Sequence, residues 1–120
     1  MSYNPIPNAA SSYHLISASG TNEKSVKSGA SLVHGWFIYN NASTVRKVAF
    51  YNSATAVTAG TTGATLLFAL TIPPQAGANA FFPTGISFPL GIAITTVTGI
   101  ADSNPTGVNP DDLNINIFYT

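Results

Sequence analysis

One hundred and twenty residues without a cysteine make a single domain that must hold itself together by packing, with no disulfide and no thiolate metal site. Four basic residues balance four acidic ones, so no net field draws the chain to DNA, RNA or an anionic membrane. Only 7% of residues are charged, against about 25% in ordinary soluble domains.

Polarity comes instead from 12 Ser, 14 Thr, 11 Asn and 10 Gly. An uncharged exterior of this kind suits a surface that meets protein, because interface cores are depleted of charge. Residues 1–20 include Pro5, Pro7, Asn8 and several serines, with no basic start and no apolar run. The expectation there is a polar N-terminal arm, extended or frayed, and not a signal peptide. The domain proper is expected over 21–120. No apolar stretch approaches the roughly 20 residues needed to span a bilayer as a helix, and a soluble, unprocessed chain is expected.

Strand patterns then recur along the chain, and no window carries a sustained 3.6-residue apolar repeat. Short strands are expected at about Tyr13–Ser17 and Glu23–Lys27. The segment LVHGWFIYN places Leu32, His34, Trp36 and Ile38 on one face and Val33, Gly35, Phe37 and Tyr39 on the other. Both faces are apolar, which an antiparallel strand with one wet side does not need. TVRKVAFYN follows, with Val45, Ala49 and Tyr51 opposed to Val48 and Phe50. The Thr/Ala/Gly-rich stretch 53–65 is a spacer, and LLFALTI resumes the alternation with Leu66, Phe68, Leu70 and Ile72 on one side.

Gln75-Ala-Gly-Ala-Asn79 looks like a further spacer. ISFPLGIAIT alternates with Ile86, Phe88, Leu90, Ile92 and Ile94 on a core face, and Pro89 and Gly91 mark an edge or bulge within it. Last, LNINIFY points Leu113, Ile115, Ile117 and Tyr119 inward and Asn114 and Asn116 outward, with Phe118 apolar on the outer side. Seven or eight short strands joined by such spacers predict an all-β antiparallel sandwich, jelly-roll-like, in one domain. Its core should draw on Leu66, Phe68, Leu70, Ile86, Phe88, Ile92, Ile94, Leu113, Ile115 and Ile117.

No catalytic or cofactor signature stands out. The stretch DSNPTGVNPDD holds three of the four acids and nearly fits a calcium loop, with Asp102, Asn104, Thr106 and Gly107 in sequence. Leu113, however, stands where the closing bidentate carboxylate belongs. Asx-type turns around Pro105 explain these residues better. His14 and His34 have no Cys, Asp or Glu beside them at metal-ligand spacing, and His34 reads as a hydrogen-bonded structural residue. G-x-S-x-G, P-loop and dinucleotide fingerprints do not occur. Lys24, Lys27, Arg46 and Lys47 could line a small basic patch, a weak nucleic-acid signal. Asn41-Ala-Ser43 matches a glycosylation sequon by chance. The expectations are no enzyme, no cofactor, no metal, no nucleic acid and no membrane partner.

Three blocks, LVHGWFIYNNASTVRKVAFYN, PTGISFPLGIAITTVTGIAD and DDLNINIFYT, resemble small virion structural proteins of tailed bacteriophages and their environmental relatives. The likeness runs from about Leu32 to Tyr119. Its most specific part is the middle block, with Gly85, Gly91 and Gly99 followed by Ala101-Asp102. What the resemblance implies is a non-enzymatic capsid-decorating (cement) protein, or an accessory piece of head, neck or tail. Such a protein is made in the host cytoplasm and sits on the virion. It would be a homo-oligomer, a trimer by the resemblance, with the major capsid protein or another virion protein as partner. Weak uncharged contacts repeated over a lattice add through avidity. The candidate subunit interface is Val33, Phe37, Tyr39 and Phe118. A carbohydrate- or receptor-binding module of a tail or spike, stacking sugars on Trp36, Tyr39 or Tyr51, is the alternative, and a small hydrolase or nuclease is the remaining class.

Overall fold

The structure, a computed structural model, describes residues 9–120. Eight strands follow in order: β1 (Ser11–Ile16), β2 (Lys24–Ser28), β3 (Ser31–Asn40), β4 (Arg46–Asn52), β5 (Leu66–Ile72), β6 (Ala76–Phe88), β7 (Gly91–Val97) and β8 (Leu113–Tyr119). They form two four-stranded antiparallel sheets, ordered β1-β8-β3-β6 and β2-β7-β4-β5.

The pairing follows one rule. β4 pairs with β5, β3 with β6, β2 with β7 and β1 with β8. The chain is therefore one long hairpin, bent at the 53–65 loop and rolled up, with β3–β8 and β4–β7 contacts closing the roll. This is an eight-stranded jelly roll, the all-β sandwich that the alternating segments predict.

The core lies between the sheets. Val33, Trp36, Ile38, Val48, Phe50, Ile72, Phe88, Ile92, Ile94, Leu113, Ile115 and Ile117 are buried there. Phe50 stacks on Phe68 at 4.7 Å between ring centroids. Trp36 lies 5.6, 5.5 and 5.4 Å from Phe50, Phe68 and Phe82, distances at which tilted aromatic pairs attract. Of the expected core, Phe68, Leu70 and Ile86 are partly exposed but packed against it. Leu66 goes elsewhere. A register shift between Phe50 and Tyr51 puts it opposite Tyr51, and it packs on the outer side of the second sheet with Ala49, Tyr51 and Ala93. Val57 of the 53–65 loop covers the same spot, so β7 is buried on both faces by its own chain.

Four details depart from the sequence pattern. ISFPLGIAIT is two strands in different sheets: β6 ends at Phe88, and Pro89-Leu90 carries the chain across to β7, leaving Leu90 exposed. Gly91 makes the crossing possible, with φ 148° and only 2.5 Å between the place of a Cβ and the Lys27 carbonyl oxygen. Residues 76–79 are not a spacer but the start of β6, where pairing with β3 overrides the low strand propensity of Ala, Gly and Asn. β1 joins the first sheet against β8, so the sandwich begins by residue 11 rather than at 21; the rest of the expected arm, residues 1–8, lies outside the described residues. Finally, β3 gains one residue against β8 between Val33 and Gly35. That bulge at His34 reverses the inside–outside phase, and Val33 moves into the core beside Trp36 and Ile38.

Tyr13 of β1 faces inward and packs against the core. Burial pushes its phenol above the usual tyrosine value, so the neutral form is favoured in the folded chain. Its contribution to stability is complete below about pH 10, the ordinary tyrosine value. It falls as pH rises through the higher folded value. Urea unfolding at about pH 8 and about pH 11 checks this: Tyr13→Phe should lose less stability than the wild type between the two. Equal losses would contradict it.

Candidate functional site

The acidic loop that invites a metal or catalytic role is tied up in structural bonds. Asn104 Oδ1 accepts from the Thr106 N–H at 2.7 Å, closing an Asx turn. Asp102 accepts from Lys47 Nζ at 3.0 Å, and Lys47 also donates to the Ile100 carbonyl at 3.2 Å. Asp112 accepts from Arg46 Nε at 2.8 Å and from the Asn109 N–H at 3.0 Å. Asp111 has φ 63°, a left-handed turn conformation that Asp tolerates. Arg46 and Lys47 are thereby buried and neutralised; they add nothing to a basic patch, and only Lys24 and Lys27 of edge strand β2 remain.

His34 sits at the bulge between the Phe82 carbonyl (3.2 Å) and Thr120 Oγ1 (3.0 Å), a hydrogen-bonded structural position as its half-apolar strand suggests. Among the described residues, no group of three or more His, Asp or Glu side chains gathers in one place.

What distinguishes one side of the molecule is the outer face of the first sheet. Among the described residues, β1, β3, β6 and β8 contain no Lys, Arg, Asp or Glu. Register lays their outward side chains in three rows. Ser12, Phe118, Gly35 and Phe81 form the first; His14, Asn116, Phe37 and Asn79 the second; Ile16, Asn114, Tyr39 and Gly77 the third.

The face has two halves. Toward the bulge it is phenylalanine: Phe81 is 72% exposed, Phe37 is 55% exposed, and Phe37 meets Phe118 edge-on at 5.4 Å. Toward the β3–β4 turn it is amide, with Tyr39, 42% exposed, standing among Asn79, Asn114 and Asn116 over a shallow groove. A chain of hydrogen bonds fixes two of those amides, Asn114 and Asn116. His14 Nδ1–H donates to Asn116 Oδ1 at 2.8 Å, and Asn116 Nδ2 donates to the Phe37 carbonyl at 3.2 Å and to Asn114 Oδ1 at 3.1 Å.

Of the candidate interface residues, Phe37, Tyr39 and Phe118 stand on this face, and Val33 does not: the bulge buries it. Of the candidate sugar platforms, Trp36 is buried in the core between the sheets and Tyr51 on the outer side of the second sheet under the 53–65 loop, and Tyr39 alone is accessible. Gly77 and Asn79 were hidden because 75–79 reads as a spacer, and Phe81, just beyond it, falls in no expected strand. Comparison with family models, with curated proteins and with solved structures finds no match for this chain.

Proposed function

We propose that this chain is a non-enzymatic structural protein of a virion, one that decorates a capsid lattice as a homo-oligomer, most simply a trimer. The observation that carries the proposal is the uncharged first sheet with Phe37, Phe81 and Phe118 turned outward. Aromatic residues are enriched and charges depleted at the cores of protein contacts, and contiguous apolar patches on soluble monomers usually mark such contacts. The other sheet supports the same assignment by contrast. On its outer side the chain's own loop covers Ala49, Tyr51 and Ala93, whereas nothing among the described residues covers the phenylalanines. A jelly roll suits lattice decoration, since its two packed sheets expose whole faces. Closed cyclic symmetry is the ordinary outcome for identical subunits.

Light scattering tests the assembly. The wild type should exceed the 12.4 kDa monomer mass at micromolar concentration, and Phe118→Asp should return it to the monomer. A carboxylate left unpaired in a dry contact is costly, while on a solvated face it is nearly neutral. A monomeric wild type, unaltered by that substitution, would remove the oligomer. Binding to the lattice is tested by co-sedimentation with capsids of the same virus lacking this subunit; a protein left in the supernatant would end that part of the proposal.

A further inference from the structure

Beyond assembly, we infer that the amide half of the same face is a binding site for a neutral saccharide. Four observations lead there, and none depends on the capsid proposal.

Gly77 and Asn79 of edge strand β6 flank the groove, which is floored by β3 and β8, the two interior strands of the first sheet. Their backbone N–H and C=O groups are consumed by ladders on both sides. An extended peptide binds by adding to a free edge, so it would pair along the outer side of β6 and not over the groove floor. Recognition must come from side chains alone.

Those side chains are an aromatic ring and primary amides. Asn116 uses its oxygen and both amide protons inside the protein. It thereby holds the Asn114 oxygen, which leaves the Asn114 NH₂ to face outward as a donor. Asn79 makes no side-chain hydrogen bond among the described residues and offers both a carbonyl and an NH₂. Vicinal hydroxyls of a sugar, each both donor and acceptor, match that set, and the C–H face of a pyranose ring suits an aromatic surface.

Tyr39 supplies that surface in a fixed pose. Its hydroxyl donates to Gln75 Oε1 at 3.4 Å, and Gln75 is itself held by donating to the Asn41 carbonyl at 2.7 Å. Opposite Tyr39 on β6 stands Gly77. A Cβ there would lie 3.9 Å from Tyr39 Cδ1, so the glycine keeps the floor of the groove open beside the ring. A preorganised site loses less entropy on binding than a flexible one.

The charge pattern selects the class. Without a charged residue in any strand of this sheet, a sialylated or uronate ligand would give up hydration with no partner in return. A nucleic acid would likewise find no phosphate contacts. Neutral hexose, deoxyhexose and N-acetylhexosamine units carry no such cost.

The test is a titration of ¹⁵N-labelled full-length protein with a panel of neutral oligosaccharides of these three unit types, with oligogalacturonate as the anionic comparison. Amide shifts confined to Tyr39, Gly77, Asn79, Asn114 and Asn116 with at least one neutral oligomer, and none with oligogalacturonate, are expected. Tyr39→Ala and Asn79→Ala, both at exposed positions, should each weaken binding about tenfold while leaving thermal unfolding unchanged. The inference is overturned if no neutral oligomer shifts these amides. It is equally overturned if shifts fall elsewhere, if only oligogalacturonate binds, or if the same amides move with protein concentration alone, which would make this half of the face a contact between copies.

Discussion

Asn40→Leu should destabilise the fold by about 3–5 kcal/mol, although leucine is nearly isosteric with asparagine and the site is fully buried. The reason is what the amide holds. The two Nδ2 protons of Asn40 are shared among the carbonyls of Thr44 at 3.0 Å, Ile72 at 3.0 Å and Pro73 at 3.1 Å, and Oδ1 accepts from the Ala42 N–H at 2.9 Å. One side chain thus satisfies backbone groups of the β3–β4 turn and of the β5–β6 turn, joining the two sheets at one end of the roll. Leucine would leave the Ile72 carbonyl and the Ala42 N–H buried without partners, at about 1–3 kcal/mol each, while the part-buried Thr44 and Pro73 carbonyls can turn toward water. Turn relaxation recovers part of the sum, hence the estimate. Asn40→Asp should be no better: it keeps the acceptor for Ala42 but turns a carboxylate oxygen toward three carbonyls. Urea midpoints at constant m-value are the measurement. A Leu variant within about 1 kcal/mol of wild type would show that Asn40 is only a turn residue.

Such a hub is invisible in sequence, where Asn40-Asn41-Ala42-Ser43 looks like any polar turn. The turn was legible, but the partners, Ile72 and Pro73, lie some thirty residues away. The same distinction runs through the fold. Alternation exposed β8, β5 and the β7 half of ISFPLGIAIT, because burying one face imposes period two whatever the topology. Where the phase changes within a strand, alternation misleads: the extra residue at His34 sent Val33 inward and left Phe37 and Tyr39 outward. The start of β6 escaped notice because Ala76–Ala80 carries no strand propensity, and only its pairing with β3 makes it a strand.

The candidate site was half legible for a different reason. Asn114, Asn116 and Phe118 could be placed outward from LNINIFY alone, and Phe37 and Tyr39 stood out as aromatics with no core to fill. Their relation to Asn79, Gly77 and Phe81 exists only after β1, β3, β6 and β8 are brought into one sheet. The low charge content says that some surface is uncharged; the roll decides which. It gathers the four uncharged strands together and sends Lys24, Lys27, Arg46 and Lys47 to the other sheet.

Asp112→Ala should cost about 3–5 kcal/mol, comparable to the loss of Asn40 and far more than a surface carboxylate contributes. Arg46 and Asp112 form a 2.8 Å pair whose side chains retain only 9% and 13% of their exposure. Both are anchored further, Arg46 through Nη1 to Thr44 Oγ1 at 2.6 Å and the Val45 carbonyl at 2.9 Å, and Asp112 by the Asn109 N–H at 3.0 Å. The Asp112 backbone carbonyl also accepts from the Asn41 N–H at 2.8 Å, so the pair sits where the β3–β4 turn meets the start of β8. Removing the carboxylate strands a guanidinium in a site with little water. Removing both charges is a different matter, because a well-packed apolar pair escapes the desolvation that the ions suffer. Arg46→Met with Asp112→Leu should therefore recover most of what Asp112→Ala loses, apart from the Asn109 N–H left without its acceptor. A double-mutant cycle on urea midpoints separates the terms. If Asp112→Ala costs less than about 1 kcal/mol, the guanidinium has found solvent and the pair is an ordinary surface contact. If instead the double variant is as unstable as Asp112→Ala, the damage comes from the Asn109 turn and not from the stranded charge.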